Sequence, residues 1–296
     1  MKLNCLLKTT PLEKTEHVSR RMALKSSVFG LLIASIPNVL FAKTSLANDD
    51  NQKIPPGNVD RYPAVDESIV AEVVGVSHFN FERLQTLVNT RPELARATWD
   101  WGFGDWETAV GAASHVGRRD IALYLLSKGA RPDIFTYAML GSFQAVKLMV
   151  ESVPGIQTIM GPHGISLLQH AKTGLDDAAN PNKSESAKLV DYLESLGDAG
   201  GNKYATIDDK DKAKYLGDYK YGDGEKEGFT IKLNMKKNIS FGKLGKSGGA
   251  LYKVSDDQFI YNGTTSVKIS FALENDKVVS LTVSEPGLVL RANKVL

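Results

Sequence analysis

The segment 108–130 decides how this 296-residue chain folds; it reads TAVGAASHVGRRDIALYLLSKGA. The small residues in its first half allow a helix to approach a neighbouring helix closely. In its second half Ile121 and Leu125 lie four residues apart, which is the spacing of one apolar helix face. Gly117 and Gly129 occupy the positions where a residue of left-handed conformation ends a helix. The segment therefore predicts a pair of helices whose apolar side needs a neighbour.

Weaker copies of this pattern flank the segment. They comprise a helix over 82–88, a turn at 138–141 before a helix over 145–150, and a turn at 171–174 before a delayed helix over 186–196. The polar insertion 175–185 predicts a loop. We expect about four units between residues 66 and 199, with degraded outer units, because at least three units are needed for a stable stack.

The segment 108–130 resembles the ankyrin repeat, in which a Thr-Pro-Leu-His start leads to Ala-Ala, then Gly, then Leu-Leu and Gly-Ala. The spacing matches at Ala113, Gly117, Leu125-Leu126 and Gly129-Ala130. Ala109 replaces the usual proline and Gly111 replaces the usual histidine. The resemblance implies a helical repeat stack at 66–199 that binds protein partners through its finger loops and concave face.

The period of the apolar residues changes from 3.6 to 2 beyond about residue 213. Phe229, Ile231 and Leu233 alternate with polar residues, and the segments 267–273 and 279–283 do the same, as half-buried strands do. Clusters of Gly, Asn and Asp lie between them at hairpin spacing. Seven or eight short strands predict a small antiparallel β-barrel or sandwich at 213–296, after a linker at 200–212.

From Tyr215-Leu216-Gly217-Asp218-Tyr219 to Gly287-Leu288-Val289-Leu290, the tail resembles a small lipocalin-like accessory barrel of exported bacterial proteins. A closed barrel of about eight strands can hold one ligand, so small-molecule or lipid binding is an alternative function. The expected fold class is multidomain α plus β: an ankyrin-type helical repeat stack followed by this small antiparallel domain.

The segment 1–47 has the three parts of an export signal. A basic region precedes an apolar run over 28–42, and small residues follow it. Arg20-Arg21 followed by Leu24-Lys25 resembles the twin-arginine signal, which implies a periplasmic or secreted bacterial protein. Cleavage after Ala42 or Ala47, and a start at Met1 or Met22, remain alternatives.

The apolar run is shorter than the ~20 residues of a membrane helix and contains Pro37, so we expect no membrane span in the mature chain. A signal retained as an anchor is the alternative. Residues 48–65 are polar and proline-marked, which predicts a linker.

Charge argues against a nucleic-acid partner. The chain has 36 basic and 34 acidic side chains, but seven of the basic and two of the acidic ones lie in 1–47, which leaves a net charge of −3. A nucleic-acid site needs a concentrated basic face. The only cysteine, Cys5, lies in the predicted signal, so the mature chain has no disulfide, cysteine metal site or cysteine nucleophile.

All three tryptophans lie in the segment 99–106, in the finger loop before the best repeat. Tryptophan anchors are common hot spots of interfaces. We therefore predict a partner-binding patch, with an aromatic plug of the core as the alternative reading. The predicted patch comprises Trp99, Asp100, Trp101, Phe103, Asp105 and Trp106.

Catalysis is the weaker alternative, as a hydrolase that uses Asp100, Asp105 and His115. The chain has no Gly-x-Ser-x-Gly elbow and no His-Glu-x-x-His motif, and a carboxylate pair needs a cleft to shift its pKa values. His78 and His115 occupy nearly corresponding places in adjacent units, so they are expected about 10 Å apart, the usual distance between packed helices. Two ligands do not close a zinc site. We therefore expect a protein-interaction scaffold, with no enzyme activity, metal or cofactor.

Overall fold

The computed structural model describes residues 64–234 and 236–295. Paired helices make up the first half of this part of the chain. The pairs are α1 (Glu67–Val76) with α2 (Phe81–Thr90), α3 (Ala109–His115) with α4 (Arg119–Ser127), α5 (Ile134–Met139) with α6 (Phe143–Ser152), and α7 (Leu167–Asp176) with α8 (Lys183–Leu196). The first helix of each pair packs against the first helix of the next pair. The predicted export signal at 1–47, and the linker as far as residue 63, lie outside the described residues.

The first helix of every pair begins at a side-chain cap. Asp66, Thr108, Asp133 and Ser166 each accept a hydrogen bond from a backbone N–H in the first turn of the helix that follows. Such a cap satisfies one of the N–H groups that a helix start leaves without an intrahelical partner. The paired helices bury two apolar clusters, one around Val73, Leu84 and Ile121 and the other around residues of α5 to α8.

The predicted turn at 171–174 is wrong, because Gly174 lies inside α7. A methyl group at this position would collide with the backbone carbonyl of Met139, at the end of α5. The glycine therefore allows two helices to approach closely rather than ending one of them. The second helix of this pair begins at Lys183, three residues before the predicted start.

Two short elements lie outside the helix pairs and carry residues of the candidate functional site. The strands β1 (Thr98–Asp100) and β2 (Trp106–Thr108) form an antiparallel hairpin, the finger hairpin. A one-turn 3-10 helix, Pro162–Gly164, precedes α7. The polar face of the site is built from these two elements and the ends of α1 and α3.

The second half of the described chain is a closed antiparallel barrel, as one of the two sequence alternatives predicted. After the short helix α9 (Asp209–Lys212), its strands are β3 (Gly217–Lys220), β4 (Gly228–Leu233), β5 (Ile239–Lys243), β6 (Gly249–Ser255), β7 (Gln258–Tyr261), β8 (Thr264–Glu274), β9 (Lys277–Glu285) and β10 (Leu288–Lys294). Each strand pairs with its neighbours along the chain, and β10 returns to β3.

Aromatic side chains fill the barrel interior. Tyr219 and Phe259 are fully buried, and Phe271 lies against both, with ring centroids 5.9 and 5.5 Å away. Aliphatic residues of β4, β8 and β9 complete this cluster. The filled interior does not favour the small-molecule or lipid cargo alternative, which stays a prediction.

No helix among residues 64–234 and 236–295 combines the length and the apolar character needed to cross a membrane.

Candidate metal centre

Three histidines and one glutamate converge beside the finger hairpin. They are His78, Glu107, His115 and His163, and one donor atom from each lies within 4.8 Å of the others. The residues are separated by up to 85 positions in the sequence and belong to four different elements. Imidazole nitrogen and carboxylate oxygen are ligands that zinc accepts.

His78 lies in the turn that follows α1. Its Nδ1 lies 3.0 Å from the carbonyl oxygen of Gly75 and 3.2 Å from that of Val74. When Nδ1 donates to these carbonyls, the neutral ring carries its free lone pair on Nε2. The end of α1 therefore selects the atom that His78 presents to the cluster, as partners of metal-bound histidines commonly do.

Glu107 is the fully buried centre of the cluster. It lies in β2, where alternation turns Trp106 to solvent and Glu107 inward. The indole Nε1 of Trp101 donates a 2.7 Å hydrogen bond to Oε2 of Glu107. This bond fixes the rotation of the carboxylate, since the carboxylate can only accept.

His163 reaches the cluster from an unusual backbone conformation. Its φ of 59° lies in the left-handed region, which residues other than glycine seldom adopt. The carboxylate of Asp105 holds it there with both oxygens: Oδ1 accepts from the backbone N–H of His163 at 2.9 Å, and Oδ2 lies 2.7 Å from Nδ1. Asp105 thus leaves Nε2 of His163 directed at Glu107, 3.4 Å from Oε1.

The distances from the Glu107 carboxylate to His115 and His78 are close to those between two ligands of one metal ion. Nε2 of His115 lies 3.1 Å from Oε1 of Glu107, and Nε2 of His78 lies 3.4 Å from Oε2. In a tetrahedron with zinc–ligand bonds of about 2.0–2.1 Å, neighbouring donor atoms are about 3.3–3.4 Å apart. The carboxylate–imidazole distances therefore match those between ligands of one zinc ion, although they involve both carboxylate oxygens, and donor pairs up to 4.8 Å apart must move closer to bind one ion.

Two donor atoms in the cluster are buried and lack a partner with hydrogen-bond geometry. They are Oε1 of Glu107 and Nε2 of His115, although they lie 3.1 Å from each other. A buried polar atom without a partner costs about 1–3 kcal/mol. A metal ion bound between them would satisfy both atoms at once.

Burial and the neighbouring charged groups shift the pKa values of the cluster residues. Burial by itself raises the pKa of Glu107, but the imidazoles of His115 and His163 outweigh it and hold this pKa well below its usual range. Burial lowers the pKa of His115. Burial also acts to lower the pKa of His163, but Asp105 and Glu107 raise it to about 9. The ionised carboxylate at the centre attracts a cation, and a metal ion that binds there must displace a proton from Nε2 of His163.

The structure separates the residues of the predicted partner-binding patch. Trp106 is exposed to 63% and Trp101 to 37%, whereas Trp99 packs against the helical core. Phe103 contacts the barrel, with its ring 5.1 Å from Tyr261. Phe103, which the sequence analysis placed in a patch for a protein partner, therefore contacts the barrel of its own chain instead.

The predicted hydrolase residues are likewise divided. Oδ1 of Asp100 accepts hydrogen bonds from the N–H groups of Gly102 and Gly104, so this carboxylate stabilises the hairpin turn. Asp105 contacts His163, and His115 contacts Glu107. His78 and His115 lie closer than the expected 10 Å, with ring centroids 4.9 Å apart, because both rings turn toward the same carboxylate.

Sequence reasoning missed Glu107 and His163. For Glu107 the only sequence signal was an acidic residue directly after Trp106 and directly before the predicted repeat start at Thr108. His163 gave no local signal, since its place in the cluster depends on a turn and a long-range contact with Asp105. No protein-family model matches the chain, and a search of curated proteins finds no match either.

Proposed function

We propose that this protein binds a divalent transition metal, zinc in first place, through His78, Glu107, His115 and His163. The observation that carries the proposal is the convergence of these four donors within 4.8 Å around a buried carboxylate. Imidazole ligands suit zinc, copper, nickel and iron, and three nitrogens with one oxygen in a tetrahedral arrangement favour zinc among them.

The donor set supports binding rather than catalysis. Four protein ligands complete a tetrahedral shell, as in structural zinc sites, whereas catalytic zinc sites keep one position for water or substrate. The proposal is therefore a metal-binding protein without enzyme activity, and the bound metal stabilises the junction of α1, α3, the finger hairpin and the turn Pro162–Gly164.

Titration of the chelator-treated protein with Zn²⁺ tests this proposal. We expect one equivalent to bind, and Co²⁺ in its place to give the intense visible absorption of a tetrahedral site. His115→Asn removes the Nε2 ligand and should weaken Zn²⁺ binding at least about 100-fold, more than loss of an outer-sphere partner does.

His170→Asn is the matched control, because His170 is a buried histidine of α7 outside the cluster. It should leave the stoichiometry and the affinity for Zn²⁺ unchanged. The metal proposal fails when the wild-type protein binds no metal, or when the two substitutions weaken binding equally.

A second candidate function is an exported protein-interaction scaffold of the ankyrin type, with a protein partner. Four capped helix pairs and the exposed indole of Trp106 support it. The resemblance of 108–130 to the ankyrin repeat and of 1–47 to a twin-arginine export signal belongs to this proposal, and so does a periplasmic or secreted location.

Affinity capture from the periplasm of the native host tests the scaffold. Trp106→Ala should abolish capture of a specific partner and leave the helical circular-dichroism spectrum intact. Leu148→Ala is the control, since Leu148 is 66% exposed on α6, away from the finger hairpin. Equal capture by both variants would remove Trp106 from the interface.

A further inference from the structure

We propose that docking of the barrel onto the finger hairpin sets the metal affinity of the cluster, and that bound metal in turn holds the barrel in place. This inference rests on the proposed metal site and names its regulation. It starts from the outer partners of the site, one of which belongs to the barrel and not to the helical layer.

Asn262 connects the barrel to the cluster. It lies in the turn between β7 and β8, is 5% exposed, and its Nδ2 donates to Oδ2 of Asp105 at 2.6 Å. The same oxygen lies 2.7 Å from Nδ1 of His163. A chain of polar contacts therefore runs from the barrel through Asp105 to a metal ligand.

The orientation of the Asn262 amide follows from its other contacts. Its Oδ1 accepts from the backbone N–H of Ala250 at 2.6 Å, and its own N–H donates to the carbonyl of Ala250 at 2.8 Å. Since Oδ1 is engaged inside the barrel, the NH₂ group is the one that faces Asp105. The barrel thus presents a fixed donor to the carboxylate that orients His163.

The turn that carries His163 also rests on the barrel. The hydroxyl of Tyr252 donates to the carbonyl oxygen of His163 at 3.2 Å. Gly164 approaches the backbone of Asn262 so closely that a Cβ there would lie 2.7 Å from the Asn262 carbonyl oxygen. Both contacts hold His163 in its left-handed conformation, which is costly without support.

The contact between barrel and helical layer is bordered by a cleft of about 350 Å³, lined in part by Trp106, Asp133 and Thr264. The contact also includes Phe103, whose ring packs against Phe241 and Tyr261 of the barrel, so polar and apolar contacts lie side by side next to the cleft. When two events use the same contacts, each changes the free energy of the other by the same amount. Barrel docking and metal binding share Asp105 and His163, so they are coupled.

Asn262→Ala in the full chain tests the coupling. Loss of the donor to Asp105 should weaken Zn²⁺ binding about 10–100-fold, the usual effect of removing an outer-sphere partner. Asn275→Ala is the matched control: Asn275 also has positive φ but lies exposed in the β8–β9 turn, and its substitution should leave Zn²⁺ affinity unchanged.

The reciprocal effect is measured by hydrogen exchange. Zn²⁺ should slow amide exchange in β6, β7 and their connecting turns in the wild-type protein, and should do so much less in Asn262→Ala. Tyr252→Phe is a milder variant that removes only the hydroxyl donor to His163, and about threefold weaker binding is expected from the net value of one hydrogen bond.

The outcomes separate the two proposals. A wild-type protein that binds no Zn²⁺ overturns the metal site itself. Unchanged Zn²⁺ affinity in a folded Asn262→Ala, or unchanged affinity in Tyr252→Phe when Asn262→Ala does not fold, overturns the coupling alone. Zinc-induced protection of the barrel that is equal in the wild type and the folded Asn262→Ala also overturns it.

Discussion

The barrel interior and Glu107 at the centre of the His78–Glu107–His115–His163 cluster are both buried, but their chemistry is opposite. In the barrel interior the ring of Phe271 packs against both Tyr219 and Phe259. The cluster instead buries a carboxylate among imidazoles and leaves two donor atoms without hydrogen-bond partners. An apolar interior stabilises the fold by itself, whereas a buried polar group costs free energy unless a partner compensates it.

The comparison shows that hydrogen bonds from surrounding groups set the geometry of the cluster, whereas mainly apolar packing sets that of the barrel interior. Three groups around it orient its side chains with hydrogen bonds: the end of α1 orients His78, Trp101 orients Glu107, and Asp105 orients His163. The barrel cluster has hydrogen bonds of its own, such as the one from the Tyr219 hydroxyl to the carbonyl oxygen of Tyr215 at 2.6 Å, but Phe259 and Phe271 are held there by packing alone. Outer-sphere orientation of this kind is what metal sites require.

The largest expected effect is in the barrel. Phe259→Ala should lower the free energy of unfolding by about 3–5 kcal/mol, because it leaves a cavity against Tyr215 and Phe271. Chemical denaturation measures it, and the loss should be the same with Zn²⁺ and with chelator. Phe79→Ala, at a phenylalanine that is 68% exposed, should change stability by less than about 0.5 kcal/mol.

His170, a buried imidazole outside the cluster, should make the folded state less stable at acid pH. Burial lowers the pKa of His170 from 6.5 to about 4 in the folded chain, where its Nδ1 lies 2.9 Å from the carbonyl of Ser166 and its Nε2 has no hydrogen-bond partner. Between these two pH values the unfolded chain binds a proton that the folded chain does not. Stability should therefore fall by roughly 3 kcal/mol as the pH drops from 6.5 to 4.

His170→Asn isolates this contribution, because the asparagine amide keeps a donor for Ser166 but does not titrate. Denaturation in chelator at several pH values should give a flatter acid slope for the variant than for the wild type. Equal slopes would show that His170 is not held neutral by burial.

The cluster should add to the stability of the folded state only when a metal ion is bound. At a free Zn²⁺ concentration of about 100 times Kd, the folded state should gain about 2.7 kcal/mol by mass action. Glu107→Gln removes the central charge and should abolish this increment in the thermal midpoint. Glu93→Gln, at an exposed glutamate, should retain it in full; loss of the increment in both variants would argue against a specific site.

The smallest effect concerns the orientation of Glu107. Trp101→Phe removes the indole donor to Oε2 and should weaken Zn²⁺ binding about tenfold, at the low end of outer-sphere effects. Competition with a chromophoric chelator measures it. Trp106→Phe serves as the control, since that indole is exposed to 63%; a similar loss in both variants would contradict the role of the Trp101 hydrogen bond.

Local patterns predicted most of the elements. The apolar spacing of Ile121 and Leu125 predicted α4, and the alternation around Ile231 predicted β4. The predicted turn at Gly174 failed for a tertiary reason, because that glycine allows close contact with Met139. Glycine marks both turns and close approaches, and the sequence alone does not distinguish them.

The candidate site was predictable only in part. His78 and His115 stood out as a histidine pair at corresponding places in neighbouring units, but their distance was overestimated. Asp105 was noted as a possible partner-binding or catalytic group, and it orients His163 instead. A metal site can be recognised from the sequence when its ligands lie a few residues apart. These four donors lie on four elements that are far apart in the chain.

By itself, the sequence determined where helical and strand periods begin and end, because hydrophobic periodicity, caps and turn residues act over a few positions. Only the tertiary structure decided that Glu107 is buried among three imidazoles and that Asn262 reaches Asp105 from the barrel. These contacts depend on how separate elements dock. Docking is set by packing and hydrogen bonds between residues that no local pattern relates.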